Sequence, residues 1–315
     1  MTPATPSSGA APGPWRAAWC AFRRDRLALG AAGVLLLLVV TAIAGKALTE
    51  GWAVLDPATV RLADRLRPPF AAASTTLPVA ARPPLGLYLL GTDDLGRDVF
   101  ARMVQGASVS LSVGFIAVGI SLVIGIGLGA IAGYYGHVRL LGVSVDSLIM
   151  RLVEVMLCFP TFFLLLAAVA LLPPSIYTIM AIIGATSWMG TARFVRAELL
   201  SLRERDFVLA ARCLGLPEWR LIFRHLVPNG LAPVFVAATL GVADAILTES
   251  ALSFLGFGVP PPAATWGNIL ADGRSFLFDA PWLTYLPGLA IFVVVLAFNL
   301  AGEGLREATN PRLRG

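Results

Sequence analysis

Acidic side chains set inside apolar runs are the residues of this chain whose chemistry most needs a reason. Glu154, Asp244 and Glu249 each stand in or beside a long apolar stretch. A charge at the centre of a membrane-crossing helix costs about 2.5–3.5 kcal/mol on insertion scales, so such groups mark a pathway, find a partner or reach the interface. These three are therefore the candidate pathway or gate residues. Arg151 lies one turn before Glu154 and offers it a partner near the boundary. Asp244 is open between a polar cavity and the outer interface. Bond chemistry is poorly served by what remains. The two histidines, His137 and His225, are far apart, and no hydroxyl or thiol stands with a base in the manner of an activated nucleophile. No zinc-ligand spacing occurs. The acidic run Asp93, Asp94, Asp98 lacks the alternating spacing of a calcium loop. The single lysine, Lys46, is followed by Ala47, which excludes a P-loop. Three cysteines, Cys20, Cys158 and Cys213, argue against a disulfide framework. No catalytic residue, metal or cofactor is expected of this chain.

A second group could do mechanical rather than covalent work. Arg205 to Asn229 reads RDFVLAARCLGLPEWRLIFRHLVPN, an arginine-rich insert between apolar segments. Phe207, Ala210, Ala211 and Leu214 recur at helical spacing and define one apolar face. Gly215 follows where a left-handed helix end favours glycine. Pro217 suits the first position of a second helix, whose N–H is unpaired in any case. Trp219, Ile222, Phe223 and Leu226 give that helix an apolar face, with Arg220 and Arg224 opposite, and Pro228 is expected to end it. The spacing predicts a bent pair of helices, a hook. A DNA-reading helix-turn-helix would need a free domain, and apolar spans on both sides leave none, so no nucleic-acid partner is expected.

The elements that hold these groups are apolar helices. The 315 residues are 57% hydrophobic and 14% charged, with mean hydropathy +0.79. Soluble domains are nearer a quarter charged, so this is an all-α integral membrane protein. Residues 1–14 are rich in Pro, Ser, Gly and Ala and are expected to be disordered. Trp15–Arg26 is basic and amphipathic, completing a tail over 1–26 that rests on lipid. The first apolar run, 27–45, is long for a cleaved signal and reads as a retained span. About 20 apolar residues cross ~30 Å of hydrocarbon. Residues 46–108 form an external loop ending in GTDDLGRD, with Thr92, Asp93 or Asp94 as helix N-cap and Asp98 paired to Arg102. A five-helix domain over 109–302 follows, with spans at 109–133, 150–172 (Pro160 inside), 175–190, 230–249 and 285–301, and a tail at 303–315. The second span carries six glycines, which let helices approach closely in lipid; static packing and a moving interface remain equally open for it.

Three blocks carry a family resemblance. The alanine pair Ala210–Ala211, Gly215 three residues beyond Arg212, and His225-x-x-Pro228 resemble the cytoplasmic coupling loop of ABC-transporter permeases. Leu209 stands where that motif has its acidic residue. GTDDLGRD before the second span and ESALSFLGFGVPPPAATWGNIL from Glu249 resemble the C-type permease subunits of the dipeptide, oligopeptide and nickel importer family. The resemblance implies a type I importer permease with six transmembrane helices. It implies a heterodimer with a homologous B-type permease, two ATPase subunits that use ATP and Mg, an extracytoplasmic solute-binding protein and a peptide substrate, with nickel or another small solute as the alternative. It also implies that loop 204–229 meets the ATPases through Phe207, Ala210, Ala211, Arg212, Gly215, Pro217, Arg220, Phe223, His225 and Pro228.

The arginines give the orientation. Under six spans, sixteen of the 24 basic residues fall on the side of the termini and the hook. The positive-inside rule places that side in the cytoplasm of a bacterial inner membrane. A transporter driven by an ion gradient competes. It needs intramembrane charges and usually an internal repeat; Glu154 and Asp244 are weak candidates and no repeat is evident. A non-transporting membrane scaffold is the third reading.

Overall fold

The computed structural model describes residues 14–52, 54–78, 82–140 and 142–309; the expected disordered segment and the last tail residues lie outside them. The chain is helical, with two short two-stranded hairpins. Helix α1 (Pro14–Arg24) meets α2 (Arg26–Lys46) at Asp25, whose carboxylate accepts from the Leu27 and Ala28 N–H groups. This N-cap separates the surface helix from the span. A loop region with hairpin β1 (Ala71–Ala72) and β2 (Leu87–Tyr88) leads into α3 (Val99–Tyr135), a helix of 37 residues. Its N-cap is Asp98, which accepts from Phe100 N–H. The expected caps Thr92, Asp93 and Asp94 are thus corrected: those residues fold the loop instead.

Hairpin β3 (Arg139–Leu140) and β4 (Val143–Ser144) turns the chain into α4 (Val145–Cys158) and α5 (Thr161–Leu171). These two helices bend by 85° at Phe159–Pro160. A residue before proline is forced out of the helical region, and Phe159 is extended at φ −85°, ψ 133°. The expected straight span over 150–172 is therefore broken. So is the next. Helices α6 (Ile176–Ala185) and α7 (Trp188–Leu202) part at Thr186–Ser187, whose hydroxyls donate to the carbonyls of Ile182 and Ile183. At ~1.5 Å per residue, ten residues of α6 reach only half of the hydrocarbon.

After the hook come α11 (Ala232–Phe254), α12 (Trp266–Gly273) and α13 (Trp282–Thr309). Among the described residues, four continuous helices are long and apolar enough to cross a membrane, and the α4–α5 pair would make a fifth. The expected spans over 150–172 and 175–190 are thus each divided between two helices.

Helix α3 is the central strut, packed on α2, α6, α7 and α11. Its broadest contact, with α7, explains three of its seven glycines, Gly125, Gly129 and Gly133. A Cβ on Gly125 would stand 2.6 Å from Thr191 Cβ, and one on Gly129 2.5 Å from the Ala192 carbonyl. Gly119 and Gly127 have open space around them. The α3–α7 seam is thus closely packed at these positions.

The bundle has two dissimilar ends. At the cap end, the described residues of 52–98 together with 255–281 fold over the start of α3, the end of α11 and the start of α13. At the hook end, α1 lies against the last turns of α13, where Gly304 closes on Ala28.

Candidate functional site

The hook is built from α8 (Asp206–Cys213), α9 (Glu218–Leu221), a π turn at Ile222–Leu226 and α10 (Val227–Gly230). Gly215 takes φ +74°, where side chains are strained, and its N–H donates to Arg212 O while Leu216 N–H donates to Ala211 O. The glycine end of the first helix is as expected. Pro217 is the N-cap of the second helix, one position before the expected one. Pro228 does not end that helix. It sits in the first turn of α10 after the π turn, where its missing N–H leaves no gap, and the chain runs on into α11.

Only part of the apolar face read from spacing is buried in the hook. Val208, Ala211, Leu221, Ile222 and Leu226 are buried against Ala130 and Tyr134 of α3 and Val195 and Leu199 of α7. Arg212 lies over the Tyr134 ring at 5.5 Å. Phe207, Leu214, Trp219 and Phe223, grouped by spacing with Ala211, Ile222 and Leu226, are instead exposed, with Leu214 80% and Phe223 62% accessible. The reason is bipolar composition: both faces of each short helix carry apolar residues, and spacing alone does not say which one packs. Ala210, Pro217 and Arg220 are exposed, and His225 is half-buried, its carbonyl accepting from Asn229 Nδ2 at 2.6 Å. The hook therefore has an apolar underside joined to the bundle and a second apolar face directed outward.

The three acidic candidates separate. Glu154 pairs with Arg151 at 3.7 Å, both exposed, beside an open cleft of about 550 Å³ that also takes in Arg193 and Arg196. Glu249 is fully buried where α3, α11 and α12 meet: its Oε1 accepts from Ser253 Oγ at 2.7 Å, with the hydroxyls of Ser110 and Thr265 beside it. It therefore sits where the cap meets the bundle, away from any open groove. Asp244 is the thirteenth of the 23 residues of α11, mid-helix rather than toward one end. It is exposed to a groove of about 320 Å³ whose wall includes Ser121, Ser187, Thr191 and Thr248.

Spacing missed one further cluster, at the cap end. Asp93, 1% exposed, accepts from Arg97 Nε at 2.6 Å and from Arg102, and Arg102 also reaches Asp272 at 3.1 Å. The expected Asp98–Arg102 pair is corrected accordingly, because Asp98 is committed to capping α3. Thr92 is buried, bonding Arg67 N–H, Asp64 O and, through its own carbonyl, Trp282 Nε1. Burial pushes the Asp98 carboxyl above its usual range, opposed by the N–H groups it caps. Likewise Arg196 holds Asp146 across 50 residues, with Nη2 at 2.6 Å. No local pattern announces pairs of such separation.

Comparison with known proteins places this architecture. A family described as the binding-protein-dependent transport system inner membrane component matches residues 125–315, and the N-terminal TM domain of oligopeptide transport permease C matches 13–69. The chain is 39% identical over 302 residues to the dipeptide transport system permease protein DppC of Alkalihalophilus pseudofirmus, covering 96% of this chain and 91% of that one. It is 34% identical to the oligopeptide transport system permease protein OppC of Bacillus subtilis, covering 95% and 90%, and 37% identical to DppC of Haemophilus influenzae, covering 98% and 99%. A solved structure of the MetNI methionine ABC transporter, facing inward, aligns with TM-score 0.52 at 17% identity over 66% of this chain and 95% of that one, a likeness of fold. The central strut, the broken helices and the projecting hook are thus the parts of a multi-pass membrane transport subunit, and the chain belongs to the family of binding-protein-dependent ABC importer permeases.

Proposed function

We propose that this chain is the C-type permease subunit of an ATP-driven importer of di- and oligopeptides, and that residues 204–229 couple it to separate ATPases. The observation that carries the coupling reading is the two-faced hook. Its underside is buried on α3 and α7, while Phe207, Leu214, Trp219 and Phe223 form an exposed apolar face rimmed by Arg212, Arg220 and Arg224. Exposed apolar patches rimmed by polar groups mark partner surfaces. A partner gripping that face moves α3 and α7 with it, because the hook shares their core.

The chain makes six crossings, counting α4–α5 and α6–α7 as broken ones, with both termini and the hook in the cytoplasm. A homologous B-type permease completes the pathway, an extracytoplasmic solute-binding protein delivers the peptide at the cap end, and the two ATPases use ATP and Mg. The relatives named for dipeptide and oligopeptide transport support the peptide class.

The assembled complex tests this. Phe223→Ser should leave membrane insertion and assembly near normal and lower peptide-stimulated ATP hydrolysis at least about fivefold. Unchanged coupling, or labelling of Cys213 only from outside the cell, would sink it.

A further inference from the structure

We infer that the groove at Asp244 is a cation station of the pathway, binding the terminal ammonium of a peptide in transit. This rests on the permease reading above and adds the chemistry of the mid-membrane site. Three observations converge. First, Asp244 sits at the middle of α11, where a carboxylate facing lipid is costly, and among the described residues no cation pairs with it. Second, among the described residues it is the only charged one lining a groove of about 320 Å³, much larger than a bare ion needs, with Ser121, Ser187, Thr191 and Thr248 also in the wall. Third, the α6–α7 break at Thr186–Ser187 falls on the same groove. Helices broken at mid-membrane place hydrogen-bonding groups where a continuous helix would hide them.

An ammonium has three N–H donors and wants a carboxylate with neutral oxygen acceptors around it. That is the acceptor set here. A carboxylate end of the peptide would meet a like charge and no arginine, since Arg193 and Arg196 line a different cleft. The groove's remaining wall is apolar, from Ala117, Val118, Leu122 and Ala245. It suits passage rather than tight holding.

The test uses the full complex of both permeases, the ATPases and the binding protein in proteoliposomes, with Cys20, Cys158 and Cys213 replaced by Ser. In a Thr248→Cys variant, a cationic methanethiosulfonate should react at least about tenfold faster than the anionic sulfonate reagent of similar size. Adding Asp244→Asn should bring the two rates together, and a saturating alanine dipeptide should slow the cationic reaction. Separately, Asp244→Asn alone should cut uptake of that dipeptide about fivefold or more while ATP hydrolysis still responds to the loaded binding protein. Asp244→Glu should restore most of the uptake. Equal reagent rates in the parent would overturn the inference, as they indicate a carboxylate neutralised by the second permease or by a proton. Full uptake by Asp244→Asn would overturn it too. A complex that never imports peptide at all fails the permease reading instead, and the charge preference of the labelling remains measurable in it.

Discussion

The two ends of this bundle are held together by different forces. The cap end is stitched by polar groups: Asp64 takes N–H groups and the Tyr88 hydroxyl, Asp93 takes Arg97 and Arg102, and Trp266 and Trp282 each donate an indole N–H to a backbone carbonyl. The hook end relies on apolar burial of Val208, Leu221, Ile222 and Leu226, with a cation–π contact at Arg212 and an Asp146–Arg196 ion pair nearby. Directional bonds among buried charges define one geometry and penalise departures from it. Apolar contact is non-directional and lets a unit shift while staying attached. The end that folds over three helices is therefore held in one geometry by its charges, and the end with an uncovered apolar face is, under the proposed function, the one a partner would grip.

The sharpest way to break this contrast is at Asp93. Asp93→Ala strips Arg102, 3% exposed, of its closest partner, and losing one member of a buried pair costs roughly 3–5 kcal/mol. The thermal midpoint of the purified complex in detergent should fall by several degrees. An unchanged midpoint would mean that the cap is not held by its charges. An intermediate effect is expected at Gly215. Nothing lies within 4 Å of a Cβ built there, so the penalty is conformational, from φ +74°. A β-branched residue at such an angle costs about 1–3 kcal/mol. Gly215→Val should reduce stimulated ATP hydrolysis with little loss of assembled complex, and Gly215→Asn, which tolerates that angle better, should recover much of it. Equal behaviour of the two would point away from the turn as the reason for glycine. The smallest effect belongs to Arg151→Ala. Both partners of the Arg151–Glu154 pair are exposed, and such surface changes fall within about 0.5 kcal/mol of neutral. A measurable loss of uptake there would move the cleft beside it into the pathway.

The same contrast tells what the sequence could and could not disclose. The spans over α2, α3, α11 and α13 were legible because burial in lipid demands an uninterrupted apolar run, whatever its neighbours. The glycine turn of the hook was legible because one backbone angle selects one residue. The hook's packed face was not: apolar residues occupy both sides of α8 and α9, and only the presence of Tyr134, Val195 and Leu199 beneath decides that Val208 and Leu221 go in and Phe207 and Trp219 stay out. The break at Thr186–Ser187 left a faint trace, two adjacent hydroxyl residues able to bond the preceding turn, yet Ser112 and Thr239 bond the preceding turn inside unbroken α3 and α11.

By itself, then, the sequence determined the class, the run of membrane helices and the motif blocks of the permease family, since each depends on composition or on a short stretch of chain. Tertiary structure alone decided the partners of charge. Asp93 goes to Arg102, Arg102 to Asp272 and Arg196 to Asp146, while Glu249 is sealed and Asp244 left facing a groove. The physical reason is that an ion pair is specified by distance in space: Asp146 and Arg196, 50 positions apart, and Arg102 and Asp272, 170 apart, become neighbours only once the helices have packed.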